Sequence, residues 1–314
     1  MSSSDTLHDV VMIGAGPTCL AAAIYTSRED IETLVLEKGI IGGLAAITDK
    51  VDNYPGFTDG IEGMELAENL RKQAERFGAV IESDEVQSIT KNSDNIFTLK
   101  TAIGEYQARA ILIGTGSEWK KLGIPGESEF YGKGVHNCAT CDGAFYRDKR
   151  LVVVGGGNSS AQEALFLTRF ASHIDIIIRG PAWKASDVLI HEIDANEKIT
   201  VHFNTSPEEI IGGVVDGLPR ILEVKVVKDG EKADIETDGV FVFIGLKPVT
   251  YFLEGTGVQF DEVGFVKTNQ KLMTDTPGIF CAGDVRSGAT MQIASAVGEG
   301  ASAALSIREY LESK

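Results

Sequence analysis

Apolar residues in this chain are grouped into short, almost uninterrupted runs that end in glycine. The first run, HDVVMIGAG, covers residues 8–16, and a second, RLVVVGGGN, covers residues 150–158. A helix-like stretch follows each run, PTCLAAAIYTSRE and SSAQEALFLTRFA respectively, and leads to another apolar run. Strands that are apolar at every position are typical of parallel sheets buried on both faces. The pattern therefore predicts strand–helix–strand twice, in an α/β fold.

Three further apolar runs bear on how these two lobes are connected. RAILIGTGS (109–117) and GVFVFIGLKP (239–248) each close a lobe, whereas GIFCAGD (278–284) has no third lobe to belong to. The simplest arrangement inserts one nucleotide-binding domain into another, so that the last run returns to the first lobe.

This arrangement gives two Rossmann-like domains, each with three layers. We predict an FAD-binding domain of residues 1–117 and 248–314 and an inserted, pyridine-nucleotide-binding-like domain of residues 118–247. The segment 122–134 contains Gly and Pro and is the expected crossing between them.

Length, composition and charge narrow the class of protein. A chain of 314 residues exceeds the size at which one core stays compact, and 43% of its residues are hydrophobic. No apolar run approaches the roughly 18 residues that cross a membrane, and the start lacks the regions of a secretory signal. We therefore expect a cytoplasmic, reducing location and no membrane partner. The net charge of −17 argues against a nucleic-acid partner.

The first glycine loop matches most of a dinucleotide fingerprint. Gly14 makes the tight turn, Gly16 lets the backbone approach a pyrophosphate, and Cys19 stands at the usual third glycine. The following helix N-terminus favours phosphate. Glu37 ends the next strand, where an acid binds the ribose hydroxyls. These features predict a nucleotide without a 2′-phosphate, such as FAD or NAD.

The second glycine loop is a weaker match. The strand after it ends at Ile178-Arg179 without an acid, and an arginine there can meet a 2′-phosphate, which favours NADP over NAD. The alternative is that this lobe keeps the fold but has lost the nucleotide. The candidate pyridine-nucleotide residues are Gly155, Gly157, Asn158, Ser159, Arg179 and Lys184.

Two of the four cysteines, Cys138 and Cys141, form a CxxC pair. A structural zinc site needs four ligands, and beyond this pair only His136 stands nearby, so we predict no metal. A disulfide that closes so short a loop restricts the unfolded chain little. We interpret the pair as a thiol–disulfide redox centre. Asp142 either exchanges a proton with a sulfur or caps the turn at Gly143. We interpret His136 as a packed or solvated histidine rather than a base.

Two nucleotide-binding lobes and one dithiol together point to a flavin. Nicotinamide transfers a hydride, a dithiol exchanges two electrons with protons, and an isoalloxazine ring connects these two chemistries. The sequence therefore suggests FAD and a redox-active disulfide, with NADP(H) as the pyridine nucleotide if the second lobe binds one.

The chain resembles the low-molecular-weight, bacterial-type thioredoxin reductase family almost from end to end. Four motifs carry the resemblance: VDNYPGF (51–57), TGSEWKKLGIPGE (115–127), CATCDG (138–143) and CAGDVRSGATMQIASAVGEGA (281–301). The resemblance implies a homodimeric, FAD-dependent enzyme that reduces the disulfide of thioredoxin or a similar small protein.

The family also implies roles for individual residues. Cys141 would face the flavin, Cys138 would exchange with thioredoxin, Asp142 would be the acid, and Asp284 would hold the ribityl chain. The helix that starts near Met291 would direct its N–H groups at the flavin. The implied FAD residues are Gly14, Gly16, Pro17, Thr18, Glu37, Lys38, Gly43, Leu44, Asn53, Val86, Thr115, Gly116, Gly283, Asp284, Met291, Gln292 and Ile293.

The sequence departs from the family pattern at three places. Leu44 replaces a Gln, and Met291 replaces an Arg. The family's H-R-R-x-x-x-R stretch is here residues 178–184, IRGPAWK, which has lost the His and the second Arg. Lys184 stands where that stretch has its last Arg, and Lys is not a bidentate substitute for Arg. The expected contacts with NADPH are therefore weakened.

These departures keep three alternatives open. A relative that does not use pyridine nucleotide would take electrons from ferredoxin, or would oxidise small dithiols with oxygen. The third alternative is a flavoprotein that serves as a redox-sensing binding partner and not as an enzyme.

Overall fold

The computed structural model describes residues 6–48, 51, 53–215 and 217–314. The strands are β1 (Leu7–Ile13), β2 (Thr33–Glu37), β3 (Val80–Ser83), β4 (Val86–Lys91), β5 (Phe97–Thr101), β6 (Glu105–Ile113), β7 (Ser117–Trp119), β8 (Val135–His136), β9 (Arg150–Val154), β10 (His173–Ile177), β11 (Ile199–His202), β12 (Thr205–Val215), β13 (Leu218–Lys228), β14 (Glu231–Glu236), β15 (Gly239–Val242), β16 (Leu246–Pro248) and β17 (Ile279–Cys281). The α-helices are α1 (Pro17–Arg28), α2 (Gly43–Ala46), α3 (Gly63–Arg76), α4 (Ala139–Asp142), α5 (Asn158–Leu167), α6 (Asp187–Asp194) and α7 (Ile293–Glu312).

The chain forms two compact units. The first unit runs to Glu118 and resumes at Lys247, and the second unit is Trp119–Leu246. The Gly- and Pro-containing segment 122–134 lies inside the second unit, where the Glu127 carboxylate accepts the N–H groups of Leu122 and Gly123. Phe130 of the same segment is buried in that unit's core.

The first unit is built on a sheet in the order β3–β2–β1–β6, with all four strands parallel. One edge of β6 has two partners. Its first half pairs with β5 in antiparallel fashion, and its last three residues pair with β17, which runs parallel. The strand β17 thus completes the first unit, although it lies far along the chain.

Two hydrophobic layers cover this sheet. On one face Met12 and Leu112 pack against Leu20 of α1 and Ala303 of α7. On the other face Ile111 packs with residues of the antiparallel pair β4–β5. Because both faces are covered, the strands are apolar at nearly every position, as the sequence pattern indicated.

The second unit repeats this plan. Its parallel sheet has the order β11–β10–β9–β15–β8. Helix α5 and its neighbours pack on one face, and the antiparallel sheet β12–β13–β14 packs on the other. The predicted α/β class and the repeated strand–helix–strand arrangement are confirmed. No helix in the described part of the chain is long and apolar enough to span a bilayer.

Candidate functional site

The first glycine loop joins β1 to α1. Gly14 has φ +97°, and a Cβ at this position would lie 2.7 Å from the carbonyl oxygen of Gly114, so the turn requires glycine. Gly16 is the N-cap of α1 and has open space around it, and Pro17 is the first residue of the helix. The backbone N–H groups at this helix start are therefore accessible to a phosphate.

Cys19 takes the third fingerprint position as a packing residue. Its side chain is fully buried, and a Cβ at Gly114 would lie 2.3 Å from its Sγ. The Cys19 side chain fits because residue 114, on the neighbouring segment, is a glycine and has no side chain of its own. Burial, and then the charge of Glu37, raise the pKa of the Cys19 thiol, so this sulfur is not a nucleophile.

Glu37 lies at the end of β2, directly beside the glycine loop. One carboxylate oxygen accepts the N–H of Ala15 at 2.6 Å, and the other accepts the N–H of Gly39 at 2.7 Å. Each oxygen keeps a further lone pair for a ribose hydroxyl. The structure thus places this acid where the sequence predicted it.

A pocket of about 360 Å³ opens beside this acid. Its lining includes five of the sequence-predicted residues, Gly14, Glu37, Lys38, Val86 and Thr115. These residues come from four separate sequence regions, three at the carboxyl ends of β1, β2 and β6 and the fourth, Val86, at the start of β4. That edge of a parallel sheet is where nucleotides bind in doubly wound folds.

Tyr251 also lines this pocket, and the sequence reasoning missed it. Its hydroxyl donates to Glu85 at 2.7 Å, and the Lys38 ammonium lies 5.3 Å from its ring centroid. Burial and the hydrogen bond to Glu85 raise the pKa of Tyr251 to about 12. No short motif marks this tyrosine. It follows β16, more than a hundred residues after the pocket residues that the sequence predicted.

The loop after β17 carries Gly283 and Asp284. Glu299 on α7 accepts the N–H of Gly283 at 2.8 Å and also pairs with Arg286. Burial, followed by the charge of Glu299, raises the pKa of Asp284 to about 6. Glu299 and Arg286 were not predicted as site residues, although they fix the loop that holds Asp284.

The start of α7 meets Asn53. The Asn53 side-chain amide donates to Gln292 Oε1 at 3.1 Å, and Gln292 Nε2 donates to the carbonyl oxygen of Met291. Met291 has φ +57°, and Gln292 is the N-cap of a helix that begins at Ile293. These four predicted residues are therefore neighbours at one helix N-terminus.

The remaining predicted residues of the first unit lie around the glycine loop. A Cβ at Gly43 would lie 3.8 Å from Gly16 Cα, whereas the Leu44 side chain is exposed. Thr115 donates through its hydroxyl to the carbonyl oxygen of Val249 at 2.7 Å. Thr18 lies under the loop after β17, since a Cβ at Gly283 would clash with its Oγ1. Gly116 adjoins this group and has φ +67°.

These groups fit a dinucleotide. A helix N-terminus with open space suits a pyrophosphate, and an acid at the strand end suits a ribose. Asp284 is buried enough to need a hydrogen-bond donor, and a ribityl hydroxyl would supply one. The two helix N-termini, of α1 and α7, belong to the same unit.

Cys138 and Cys141 form a disulfide in the second unit. Cys138 is the N-cap of α4, and its Sγ accepts the N–H of Cys141 at 3.2 Å. The N–H of Asp142 donates to the carbonyl oxygen of Cys138 at 3.1 Å. The interpretation of the pair as a redox disulfide agrees with the observed bond.

Asp142 and His136 lie beside each other in the second unit. Asp142 makes no side-chain capping hydrogen bond at the turn that begins at Gly143. Its Oδ2 instead lies 3.2 Å from Nδ1 of His136. His136 is buried, and its Nε2 lies 2.7 Å from the hydroxyl of Tyr146. His136 is thus packed, as the sequence interpretation expected, and it also lies beside the predicted acid.

The second glycine loop is tied to the segment that follows β10. The N–H of Lys184 donates to the carbonyl oxygen of Gly156 at 2.7 Å, and Asn158 Oδ1 accepts the N–H of Ser186 at 2.8 Å. Ile178 is buried, and a Cβ at Gly156 would lie 2.7 Å from its Cγ2. An apolar side chain thus fills the place of the family's histidine.

Two cations remain exposed near this loop. Arg179 and Lys184 are exposed, and neither side chain has an ion-pair partner among the described residues. Gly157 is the N-cap of α5 with open space around it, and Ser159 is exposed in the first turn of that helix. The arrangement can receive a phosphate, with Gly155 buried behind it at the end of β9.

Comparison with known proteins places the chain in a family. The family model for pyridine nucleotide-disulphide oxidoreductases matches residues 8–300. Thioredoxin reductase of Bacillus subtilis (strain 168) is 40% identical over 312 residues, which cover 99% of this chain and 96% of that protein. Thioredoxin reductase of Treponema pallidum (strain Nichols) is 40% identical over 308 residues, which cover 98% of each chain.

Comparison with solved structures indicates the same family. Thioredoxin reductase from Streptococcus pyogenes MGAS5005 is 35% identical, with a TM-score of 0.91 over 98% of this chain and 99% of that one. Thioredoxin reductase from Giardia duodenalis is 30% identical, with a TM-score of 0.90 over 98% and 100% of the two chains. The chain therefore belongs to the pyridine nucleotide-disulphide oxidoreductases and, within them, to the low-molecular-weight, bacterial-type thioredoxin reductase family.

Proposed function

We propose that this protein is an FAD-dependent thioredoxin-disulfide reductase. It passes electrons from a donor, NADPH or another reductant, through flavin and the Cys138–Cys141 pair to the disulfide of thioredoxin or a similar small protein. The observation that carries the proposal is the Cys138–Cys141 disulfide with a paired carboxyl, Asp142, one residue after it. The relatives named above are thioredoxin reductases, which supports the choice of substrate.

Residues of the first unit would hold the FAD. The N–H groups at the start of α1 would bind the pyrophosphate, and Glu37 would bind the ribose of the adenosine. Lys38, Val86 and Tyr251 would enclose the adenine end of the pocket. Asp284 would accept from the ribityl chain, and the N-terminus of α7 would lie at the ring. When bound, the flavin supplies two-electron transfer between a reductant and a disulfide.

The reduced pair can deliver two electrons and two protons to a substrate disulfide. The Cys138 thiol gives its proton to the Asp142 carboxylate, and the resulting thiolate attacks one substrate sulfur. The other substrate sulfur leaves and takes the proton from Asp142. The Cys141 thiol then gives its proton to Asp142 and attacks Cys138 Sγ. This step restores the Cys138–Cys141 disulfide, and the second substrate sulfur leaves with that proton.

The electron donor is the least constrained part of the proposal. Arg179 and Lys184 are exposed cations beside a helix N-terminus, which supports binding of NADP(H) in the second unit. Ile178, which is buried against Gly156, supports the second candidate, a relative that takes electrons from ferredoxin or passes them to oxygen. A homodimer and a cytoplasmic location belong to the same proposal, as does the assignment of each unit to its nucleotide.

A pair of cysteine variants tests the proposed direction of exchange. Cys138→Ser removes the attacking sulfur, so the variant should keep its yellow flavin but form no covalent complex with oxidised thioredoxin. Cys141→Ser leaves the attacking sulfur and removes the resolving one, so a mixed disulfide with thioredoxin should accumulate. Mass spectrometry of the protein mixtures measures both results. Accumulation in the Cys138→Ser variant would reverse the two roles.

An anaerobic titration of the flavin absorbance identifies the donor. NADPH, NADH and reduced ferredoxin are each added to the oxidised protein. Bleaching by NADPH alone would support the NADP(H) site, and bleaching by ferredoxin alone would support the second candidate. A purified protein that is colourless and gains no absorbance when FAD is added would contradict the whole proposal.

A further inference from the structure

His136 stands at the end of β8, two residues before the CxxC pair, with its ring enclosed by aromatic residues. Its ring lies 5.2 Å from that of Phe241 in a stacked arrangement and 5.3 Å from that of Tyr146 in an edge arrangement. Phe241 is fully buried on β15, the strand that pairs with β8. The imidazole therefore has one fixed orientation, set by packing on both sides.

The polar contacts of His136 favour one tautomer. Burial, and then the charges of Asp142 and Asp238, raise the pKa of Tyr146 far above its usual range, with Arg220 opposing the shift. Tyr146 thus keeps its proton, and its hydroxyl lies 2.7 Å from Nε2 of His136. A neutral ring that accepts this proton at Nε2 carries its own proton on Nδ1, the atom that lies 3.2 Å from Asp142 Oδ2.

We propose that His136 is a positioning residue for the proton transfer of the redox pair, an inference that rests on the function proposed above. Its Nδ1 lies 3.2 Å from Oδ2 of Asp142, and we assign the proton that the carboxyl carries during exchange to the other oxygen, Oδ1. No hydrogen bond to Oδ1 occurs in the part of the chain that the structure describes. The carboxyl is thereby held with its mobile proton available to the sulfur that departs.

This role of His136 leaves the proton and electron balance of the dithiol–disulfide exchange unchanged. A thiol proton from Cys138 or Cys141 moves to Asp142 Oδ1, and the same proton moves on to a departing substrate sulfur. His136 loses no proton in this cycle, since Tyr146 remains a hydroxyl throughout. The histidine supplies orientation, and both electrons still come from the two cysteine sulfurs.

Other titratable groups surround this chain of hydrogen bonds. Asp238 and Arg220 act on Tyr146, and the charge of Asp142 also raises the pKa of Tyr131 after the larger effect of burial. Glu163 on α5 accepts a backbone hydrogen bond from Ala139 of α4, and burial raises its pKa. None of these groups lies between His136 and Asp142, so the histidine is the direct partner of the acid.

The test uses substrates whose departing sulfurs differ in their need for a proton. A thioredoxin thiolate is basic and leaves faster when it is protonated, whereas the thiolate from 5,5′-dithiobis(2-nitrobenzoate) is stable without a proton. The flavin-loaded protein is reduced with stoichiometric dithionite under anaerobic conditions. It is then mixed rapidly with either disulfide, and the single-turnover rate is measured.

Three variants separate positioning from packing. His136→Phe keeps an aromatic ring between Phe241 and Tyr146 but has no donor for Asp142. His136→Asn places an amide N–H where Nδ1–H stands. Tyr146→Phe removes only the hydroxyl that fixes the tautomer.

We expect His136→Phe to slow thioredoxin reduction by about tenfold, the equivalent of one lost hydrogen bond, with the aryl disulfide rate within about twofold of the wild type. His136→Asn should recover most of the thioredoxin rate, and Tyr146→Phe should show a smaller loss. An equal loss with both substrates would mean that the residue only maintains the fold, and no loss with either would mean that it does not position Asp142. Both results overturn the proposal. A wild-type protein that reduces neither disulfide would instead overturn the proposed function.

Discussion

Glu299 connects three parts of the first unit through a single carboxylate. It accepts the N–H of Gly283, pairs with Arg286 and adds its negative charge to the surroundings of Asp284. Since Glu299 lies in the second turn of α7, the loop after β17 and the helix N-terminus are fixed to each other. A residue that touches no cofactor thus determines where the predicted ribityl ligand stands.

Replacing Asp284 should change how stability depends on pH. The pKa of Asp284 is raised from 3.8 to about 6 by burial and by Glu299, so the folded flavin-free protein binds this proton more tightly than the unfolded chain does. Its contribution to stability is therefore present at acidic pH and is lost as pH rises from about 4 to about 6. Urea unfolding at pH 5 and pH 7 should show a smaller difference for Asp284→Asn than for the wild type. Asp275→Asn, an exposed position, is the control. Identical pH dependence in all three proteins would contradict the assignment.

Replacing Glu299 should weaken flavin binding. Glu299→Gln leaves the part-buried Arg286 guanidinium without its ion pair, so the loop that carries Asp284 loses its fixed position. We expect the dissociation constant for FAD to rise by about tenfold, which corresponds to about 1.4 kcal/mol. Fluorescence titration of the flavin-free protein measures it. Glu312→Gln, at an exposed position on the same helix, should leave the constant unchanged, and an equal effect of both variants would argue against the mechanism.

The predicted site residues lie together in the structure where one short motif contained the whole signal. Gly14, Gly16 and Glu37 are neighbours because a turn, a helix start and a strand end follow each other within one βαβ unit. Tyr251 and Glu299 were not found, because their partners lie far away along the chain and only the folded sheet brings them together. His136 and Asp142 are only six residues apart in sequence. Their contact was still missed, because no sequence pattern distinguishes a buried histidine from an exposed one.

Helices α1 and α7 approach each other at Gly300, and this contact positions the glycine loop. A Cβ at Gly300 would lie 2.1 Å from the backbone carbonyl oxygen of Thr18, in the first turn of α1. The packing that holds the first turn of α1, the predicted phosphate site, therefore depends on the absence of a side chain at one position of α7. This is a property of the two elements as a pair, and neither sequence pattern indicates it.

Two glycine-to-alanine variants in α7 should have opposite effects. Gly300→Ala forces α7 away from the backbone of α1 at Thr18. We expect a loss of roughly 1–3 kcal/mol in the free energy of unfolding and weaker flavin binding. Gly298→Ala meets nothing within 4 Å, so the better helix propensity of Ala should stabilise the protein by roughly 0.5–1 kcal/mol. Chemical denaturation measures both. Equal changes in the two variants would contradict the close-approach argument.

At the level of elements, the parallel strands were predictable and the antiparallel ones were not. Strands such as β1 and β9 are apolar at almost every position, which is a strong signal in a single sequence. Strand β14, EKADIE, is largely exposed and has almost no apolar pattern. Its assignment to a sheet depends on pairing with β13, which is a tertiary interaction.

Each unit of the molecule has hydrophobic clusters of its own. The clusters around Met12 and Ile111 are drawn wholly from the first unit, and those around Ile176 and Val240 wholly from the second. Each unit therefore contains what a domain needs for cooperative folding. A ligand that binds only one unit is expected to stabilise that unit alone.

Calorimetry should resolve the two units. We expect FAD at about 100 times its dissociation constant to add about 2.7 kcal/mol to the first unit and to raise only one of two thermal transitions. Ile176→Val should lower the other transition through the loss of about 1 kcal/mol of core packing. A single transition that responds to both changes would contradict separate unfolding.

The inserted unit begins and ends at the same place. The N–H of Lys120 donates to the carbonyl oxygen of Gly245 at 3.0 Å, so residues one position inside its two ends are hydrogen-bonded neighbours. The interrupted ends of the first unit are closed in the same way, by the N–H of Val249 and the carbonyl oxygen of Gly116 at 3.2 Å. One continuous stretch of coding sequence therefore specifies the whole dithiol-bearing unit. A gene duplication that placed one copy inside the other would have required no new connecting segment, and the same adjacency makes this unit exchangeable between relatives as a cassette.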